Sequence, residues 1–143
     1  MATDSASASS AAPSRGLHIG LWVAQVLLAV AFLGSASMKL MTPAAELATK
    51  MAWASHVPEA GVKLIGVLEL LGALGLILPS ALRIQPKLTS AAAAGLVLTM
   101  IGAAATHIMI GEPQMTVPNF VLGGLAAFVA WGRLSKAPIA PKS

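Results

Sequence analysis

Four apolar stretches of this sequence each contribute one polar side chain to a candidate site, and each of these side chains can exchange a proton or a hydrogen bond with a bound molecule. They are Lys39, Glu69, His107 and Asn119. An ionisable group at membrane depth costs roughly 2.5–3.5 kcal/mol on insertion scales, so a chain that keeps such groups needs partners or a use for them. A carboxylate and an imidazole at matched depth could relay a proton to a ligand oxygen. We therefore predict Lys39, Glu69 and His107 as candidate catalytic residues.

A ligand pocket beside these groups is predicted to include Trp53, Asn119 and Lys63. A purely structural interpretation competes with it. For Glu69 it is an ion pair with Lys39 or Lys63, for the two lysines it is extension to the membrane interface instead, and for His107 it is a hydrogen bond to a helix carbonyl. No metal site is predicted, because three histidines without repeated spacing and no cysteine supply no ligand set.

Small residues indicate how the second apolar stretch would position its carboxylate. Gly66, Glu69 and Ala73 fall on one helical face, at i, i+3 and i+7. Small residues mark close helix approach in membranes, so Glu69 is predicted to point into a bundle and away from lipid. His107 shares a face with Ala103, and the same argument places it inward.

Four apolar stretches are each long enough to cross roughly 30 Å of hydrocarbon as a helix. They cover about residues 17–41, 60–82, 88–110 and 115–134. The first exceeds the ~7–15-residue core of a usual signal peptide, so we predict that it is retained. Each stretch brings one of the four polar residues to the same half of the bilayer.

These patterns predict an all-α integral membrane four-helix bundle over residues 17–134. The segment 43–58 mixes Glu46, Lys50 and His56 with apolar residues, which favours a short amphipathic interfacial helix between the first and second spans. Residues 1–16 are mostly Ala and Ser and are predicted to form a disordered tail. Residues 135–143 are predicted to form a flexible one.

Composition agrees with a lipid-facing surface, since 57% of the 143 residues are hydrophobic and only 10% are charged. The net charge of +4 is dispersed and does not predict nucleic-acid binding. Six of the nine Lys and Arg residues lie at the two tails and the 83–87 loop: Arg15, Arg83, Lys87, Arg133, Lys136 and Lys142. The positive-inside rule therefore predicts a multi-pass cell-membrane protein with both termini in the cytoplasm.

The first two spans carry two sequence runs that resemble the DoxX-like family of small membrane proteins. One run is Gly34-Ser35-Ala36-Ser37-Met38-Lys39-Leu40, and the other runs from Gly66 to Pro79 through Glu69-Leu70-Leu71-Gly72-Ala73. The third span looks similar as well, and the resemblance covers about residues 17–134. It implies a four-helix membrane bundle with Lys39, Glu69 and His107 at family-typical polar positions. The family takes its name from a subunit associated with quinone-linked thiosulfate oxidation, which makes a quinone the candidate ligand.

Three classes of function stay open on the sequence. The leading hypothesis is a bundle that binds a small lipophilic molecule, with a quinone as the candidate, and supports redox or proton-coupled chemistry on it. The second is an enzyme for non-redox acid–base chemistry, such as isomerisation or ring opening of a lipophilic substrate. The third is a non-catalytic partner subunit or assembly factor of a membrane complex, or a homo-oligomer. No cofactor is evident in the sequence itself.

Overall fold

The computed structural model describes residues 14–142, and five α-helices account for most of them. Their bounds are α1 Arg15–Met41, α2 Ala44–Lys50, α3 Glu59–Leu82, α4 Lys87–Met109 and α5 Thr116–Trp131. Short 3₁₀ helices cover Ala52–His56 and Pro113–Met115, and a π-helical turn, Gly132–Lys136, extends α5. The helices α1, α3 and α4 and the segment Pro113–Lys136 are long and apolar enough to span a membrane. The predicted all-α four-helix membrane bundle is confirmed.

The buried face of α1 explains how one helix contributes to both ends of the bundle. The Ser14 side chain caps its start by accepting a hydrogen bond from the Leu17 amide at 3.0 Å. The buried positions then recur every three or four residues: Leu21, Gln25, Leu28, Phe32, Ala36 and Lys39. Gln25 and Lys39 therefore share a face although helix rise separates them by about 21 Å.

The four long helices pack in a ring, in which α1 contacts α3, α3 contacts α4, α4 contacts α5, and α5 returns to α1. Their shared core is apolar and includes Leu28, Phe32, Leu76, Leu96 and Val129. Large apolar side chains such as Val30, Leu71, Leu98 and Phe120 are exposed on the outside. In a membrane span this exposed apolar surface faces lipid.

Glycine permits the close approach of α3 and α4 in the middle of the bundle. A Cβ placed on Gly72 would lie 2.7 Å from Leu96 Cδ2, and one on Gly75 would lie 2.6 Å from Ala92 Cβ. Those separations are shorter than van der Waals contact, so small residues set the distance between these helices.

Two connections close the ends of the bundle. At the end where α1 stops, the predicted interfacial helix is present but breaks at Met51 into α2 and the 3₁₀ helix; we call this the α2 end. At the opposite end, α3 and α4 meet through a tight loop in which Arg83 (φ 57°) and Gln85 (φ 48°) are left-handed. Because both described chain ends also lie there, we call it the terminal end.

The predicted tails fall partly outside the described residues. Residues 1–13 of the N-terminal tail are outside them, whereas Arg15 and Gly16 already belong to α1. Near the other chain end, the Lys142 amide donates to the Arg83 carbonyl at 2.7 Å, so this segment lies against the α3–α4 loop. The flexibility of 135–143 stays a prediction.

Candidate functional site

A lysine and a glutamate form a buried ion pair between α1 and α3 at the α2 end. Lys39 Nζ lies 3.1 Å from Glu69 Oε1 and 3.0 Å from Oε2. The two residues are only 5% and 3% exposed. The prediction that Glu69 faces the bundle interior with a polar neighbour from another helix is confirmed. We refer to these two residues as the lysine–glutamate pair.

The Lys39 ammonium is fully occupied by protein groups. Besides the carboxylate it donates to Ser35 Oγ, one helical turn earlier on α1. The ring centroid of Trp53 lies 5.5 Å from Nζ, within the range of a cation–π contact. An ammonium has three hydrogens, so Ser35 and the two carboxylate oxygens can use them all. The expectation that Lys39 extends to the membrane interface is wrong, because Glu69 balances its charge and Ser35 accepts a further hydrogen bond inside the bundle.

Lys63 has a different role from Lys39, although the sequence allowed either to pair with Glu69. Its Nζ donates to the carbonyls of Lys39 and Leu40, both at 3.0 Å, and lies 3.5 Å from that of Thr42. The last carbonyls of a helix have no partner within it, and a cation there also complements the helix dipole. Lys63 therefore caps α1 and fixes the backbone that carries Lys39.

A small cavity of about 30 Å³ lies beside Lys39, beneath the 43–58 segment. Its lining includes Lys39, Thr42, Leu47, Ala54 and Lys63. That volume is close to the space of one water molecule. In this conformation the site can therefore hold one small polar group next to Lys39, but not a whole ring.

His107 and Asn119 lie at the same end of the bundle but bond locally. His107 Nδ1 is 3.4 Å from Glu112 Oε2, in the turn that follows α4. Asn119 Nδ2 donates to the Met115 carbonyl, one turn earlier on α5, also at 3.4 Å. None of the hydrogen bonds within residues 14–142 joins either side chain to the lysine–glutamate pair. The predicted trio is thus a bonded pair with His107 in a separate contact.

A second buried polar group, at the terminal end, was not among the predicted site residues. Arg133, in the π-helical turn, is only 4% exposed. Its Nε donates to Gln25 Oε1 at 2.7 Å, and its Nη1 lies 2.9 Å from both the Ala137 carbonyl and His18 Nδ1. We call Arg133, Gln25 and His18 the arginine cluster.

Gln25 links the arginine cluster to a third helix. Its Nε2 donates to the Leu76 carbonyl of α3 at 2.6 Å, while its Oε1 accepts from Arg133. Gln25 is the one polar side chain among residues 19–34 that could have signalled this contact. A buried amide in an apolar helix needs a partner on another helix. In the sequence Arg133 reads only as one of the cations in the positive-inside count, so the cluster is not predicted.

A hydrogen bond between α3 and α4 also lies at the terminal end. The Ser80 and Thr89 hydroxyl oxygens are 2.6 Å apart and buried. The neighbouring Ser90 Oγ is buried without a partner among the described residues. The two serines therefore make a matched comparison of a bonded and an unbonded hydroxyl.

The sequence profile of the DoxX-like family matches residues 23–129, which is more than half of the chain. The matched region contains Lys39, Glu69 and His107 and ends before Arg133. Neither a curated protein nor a solved structure matches the chain.

Proposed function

Because the chain belongs to the DoxX-like family, we propose that this multi-pass membrane protein binds a small lipophilic molecule beside the lysine–glutamate pair. A quinone is our leading candidate. The observation that carries the proposal is the burial of the complete ion pair, with bonds of 3.0 and 3.1 Å, together with a small cavity that Lys39 lines. Buried charge in a membrane span is costly, and such residues commonly mark a site of binding or proton transfer.

The chemistry of the pair suits a ligand with a carbonyl or hydroxyl oxygen. The Lys39 ammonium can donate a hydrogen bond to such an oxygen, in exchange for its bond to Ser35. The Glu69 carboxylate can accept a proton from it or return one. Trp53, already over Lys39, offers an aromatic face to a flat ring.

The cavity volume determines how a ligand would enter. A space of about 30 Å³ admits one oxygen-sized group, so a ring requires the 43–58 segment to move outward. That segment is held chiefly by Leu47, the one buried residue among 43–58. A displacement of this short segment would open the site while the four long helices stay packed.

Electrons for a redox reaction would come with the ligand or from a partner protein. The chain has no cysteine and no tyrosine, so neither a thiol nor a phenol side chain can carry them. A bound quinone would supply two-electron chemistry. The residues of this chain would then hold the ligand oxygen and move its proton.

One observation favours a second candidate function, that of a non-catalytic subunit. All three hydrogens of the Lys39 ammonium already have acceptors in the protein. A saturated pair can act purely as a link that sets the register of α1 against α3. In that case substitution of the pair would change the bundle and its assembly, but no ligand would depend on it.

The experiment separates the two candidates by replacing the pair without leaving a lone charge. We expect Lys39→Met/Glu69→Leu to fold, since a buried ion pair can often be replaced by apolar residues of similar volume. Binding of a short-chain benzoquinone in detergent, followed by tryptophan fluorescence quenching, should be lost in this double variant and in Glu69→Gln. An alkylbenzene of similar size, which lacks the oxygens, should quench neither protein.

The exposed pair Glu46–Lys50 on α2, with a 3.2 Å contact, provides the matched control. Glu46→Gln/Lys50→Gln likewise removes one negative and one positive charge, here from the exposed side of the 43–58 segment. This variant should bind the benzoquinone as the wild type does. Wild-type affinity in Lys39→Met/Glu69→Leu would overturn the ligand proposal. If the wild-type protein does not bind benzoquinone, the quinone is excluded as the ligand and the role of a non-catalytic subunit is favoured.

A further inference from the structure

A large cavity opens at the terminal end of the bundle, on the far side from the lysine–glutamate pair. Its volume is about 700 Å³, and it lies between the 83–87 loop and residues 138–142. Four cationic side chains line it: Arg83, Lys87, Arg133 and Lys142. Within the described residues, no Asp or Glu lines it. From this lining we propose that the cavity is a binding site for a phosphate-bearing anion.

Arg133 supports the proposal because it carries a buried charge with no carboxylate among its partners. Its acceptors are Gln25 Oε1, the carbonyls of Ala137 and His18, and His18 Nδ1. A guanidinium has five N–H groups, and these four contacts leave one on Nη2. Arg133 therefore retains both its charge and a hydrogen-bond donor at the wall of the cavity.

The distribution of acidic residues leaves the terminal end positively charged. The described carboxylates are Glu46, Glu59, Glu69 and Glu112, and each belongs to α2, to the first half of α3, or to the turn after α4. All four therefore lie in the α2 half of the bundle. Asp4 is the fifth acidic residue of the sequence and lies outside the described residues. Within residues 14–142, no acidic side chain can neutralise the cavity.

The walls of the cavity are tied together by two hydrogen bonds. Arg83 Nε donates to the Ala140 carbonyl at 2.8 Å, and the Lys142 amide donates to the Arg83 carbonyl at 2.7 Å. The side chains of Lys87 and Lys142 take part in no hydrogen bond among the described residues and are exposed. Two cations are therefore available for a ligand while the backbone around them is held.

The size of the cavity and its apolar lining favour an anion larger than a bare phosphate. A volume of about 700 Å³ is in the range of small-molecule sites and exceeds what a bare phosphate needs. Ile84 and Ile139 add apolar wall beside the cations. The phosphodiester of an anionic lipid headgroup or a soluble phosphate compound can supply the required chemistry, and the experiment below distinguishes them.

The test uses the full chain in neutral detergent and counts bound lipid by native mass spectrometry. We expect retention of phosphatidylglycerol and much weaker retention of phosphatidylcholine, which has the phosphodiester but no net negative charge. Lys87→Gln/Lys142→Gln should weaken phosphatidylglycerol binding by about tenfold or more, because two charge-assisted contacts are removed. Neither side chain is in the core, so the variant should melt as the wild type does without lipid.

A charge-matched control removes two cations at the same end but outside the cavity. Arg15→Gln/Lys136→Gln should keep phosphatidylglycerol binding within about twofold of the wild type, since both residues are exposed and neither lines the cavity. Inorganic phosphate provides the second arm. If inorganic phosphate displaces phosphatidylglycerol from the wild type in a manner that depends on Lys87 and Lys142, a soluble phosphate compound is a source of the anion. If it does not displace the lipid, the lipid headgroup is the source.

Three results would overturn the proposal. The first is equal retention of phosphatidylcholine and phosphatidylglycerol, and the second is an equal loss of binding in both double variants, which would indicate general attraction to a charged end. The third is the absence of any effect of either lipid or inorganic phosphate on the wild-type protein.

Discussion

At the α2 end, Lys39 meets a carboxylate inside the bundle, whereas at the terminal end Arg133 meets only neutral acceptors. Both cations are about equally buried, at 5% and 4% exposed. The pair neutralises itself and saturates its donors, while the arginine cluster satisfies most of its donors and keeps its charge. Burial alone therefore does not define the function of a charged group, because its partners determine what it can still bind. Four experiments test this contrast, in order of decreasing expected effect.

The largest expected effect is the difference between the two ends of the bundle in labelling by a thiol reagent that cannot cross the membrane. The chain has no native cysteine, so single cysteines can be introduced cleanly. The bias of Lys and Arg toward the terminal end predicts that this end is cytoplasmic. In intact cells, cysteines at Ser5 or Ser143 should resist an impermeant thiol reagent, and a cysteine at Gln114 should react. Labelling of the first two positions would reverse the orientation of both sites.

Removal of one partner of the lysine–glutamate pair should have the largest effect on stability. Glu69→Leu leaves Lys39 buried without a carboxylate, which typically costs about 3–5 kcal/mol. The free energy of unfolding can be measured by titration with dodecyl sulfate in mixed micelles. Lys39→Met added to Glu69→Leu should restore most of the loss. A cost below about 1 kcal/mol for Glu69→Leu alone would show that the pair is unimportant for folding.

Removal of the cation from the arginine cluster should cost less, since only neutral groups are left behind. Arg133→Met leaves Gln25 Oε1 and the Ala137 carbonyl without their donor, and we expect a loss of about 2 kcal/mol. Gln25→Leu in the same chain should recover part of it, because the stranded amide is then absent. Strict additivity of the two changes in a double-mutant cycle would contradict the coupling seen in the structure.

The smallest effect concerns the two serines beside the arginine cluster. Ser80→Ala removes the 2.6 Å bond to Thr89 and should destabilise the bundle by about 1 kcal/mol. Ser90→Ala removes a hydroxyl that has no partner among the described residues, so it should be neutral or slightly stabilising. The same unfolding titration checks both variants. A larger loss of stability in Ser90→Ala than in Ser80→Ala would show that the hydroxyl contacts are assigned incorrectly.

The fold could be predicted from the sequence because membrane spans are defined by local composition. Each of the four spans is a predominantly apolar run, and its ends are set by Pro, Gly and charged residues near positions 43, 83 and 111. Small residues around Glu69 indicated its inward face correctly. The break at Met51 could not be predicted, since helix boundaries in a short amphipathic segment depend on contacts with the rest of the protein.

The partners of the polar residues were harder to predict, because they depend on which helices are neighbours. The order of packing places α1 against α3, which joins Lys39 to Glu69 and leaves His107 to bond Glu112. In the sequence Arg133 resembles any cation at the end of a membrane-spanning helix, and only the approach of α1 to the end of α5 brings it to Gln25. The position of a residue within its span predicts its depth in the membrane. It does not predict which neighbouring helix the side chain faces.

The spacing of Gln25 and Lys39 along α1 has a consequence for changes in the length of that helix. The two residues are fourteen positions apart and share one face. Their contacts with Arg133 and Glu69 therefore fix the rotation of α1 about its own axis at both ends of the bundle. One residue inserted between them would rotate one end relative to the other by about 100°, and would turn either the amide or the ammonium toward lipid. An insertion of four residues would rotate it by only about 40°. Deletions and insertions in this stretch should therefore be tolerated according to helical phase rather than size.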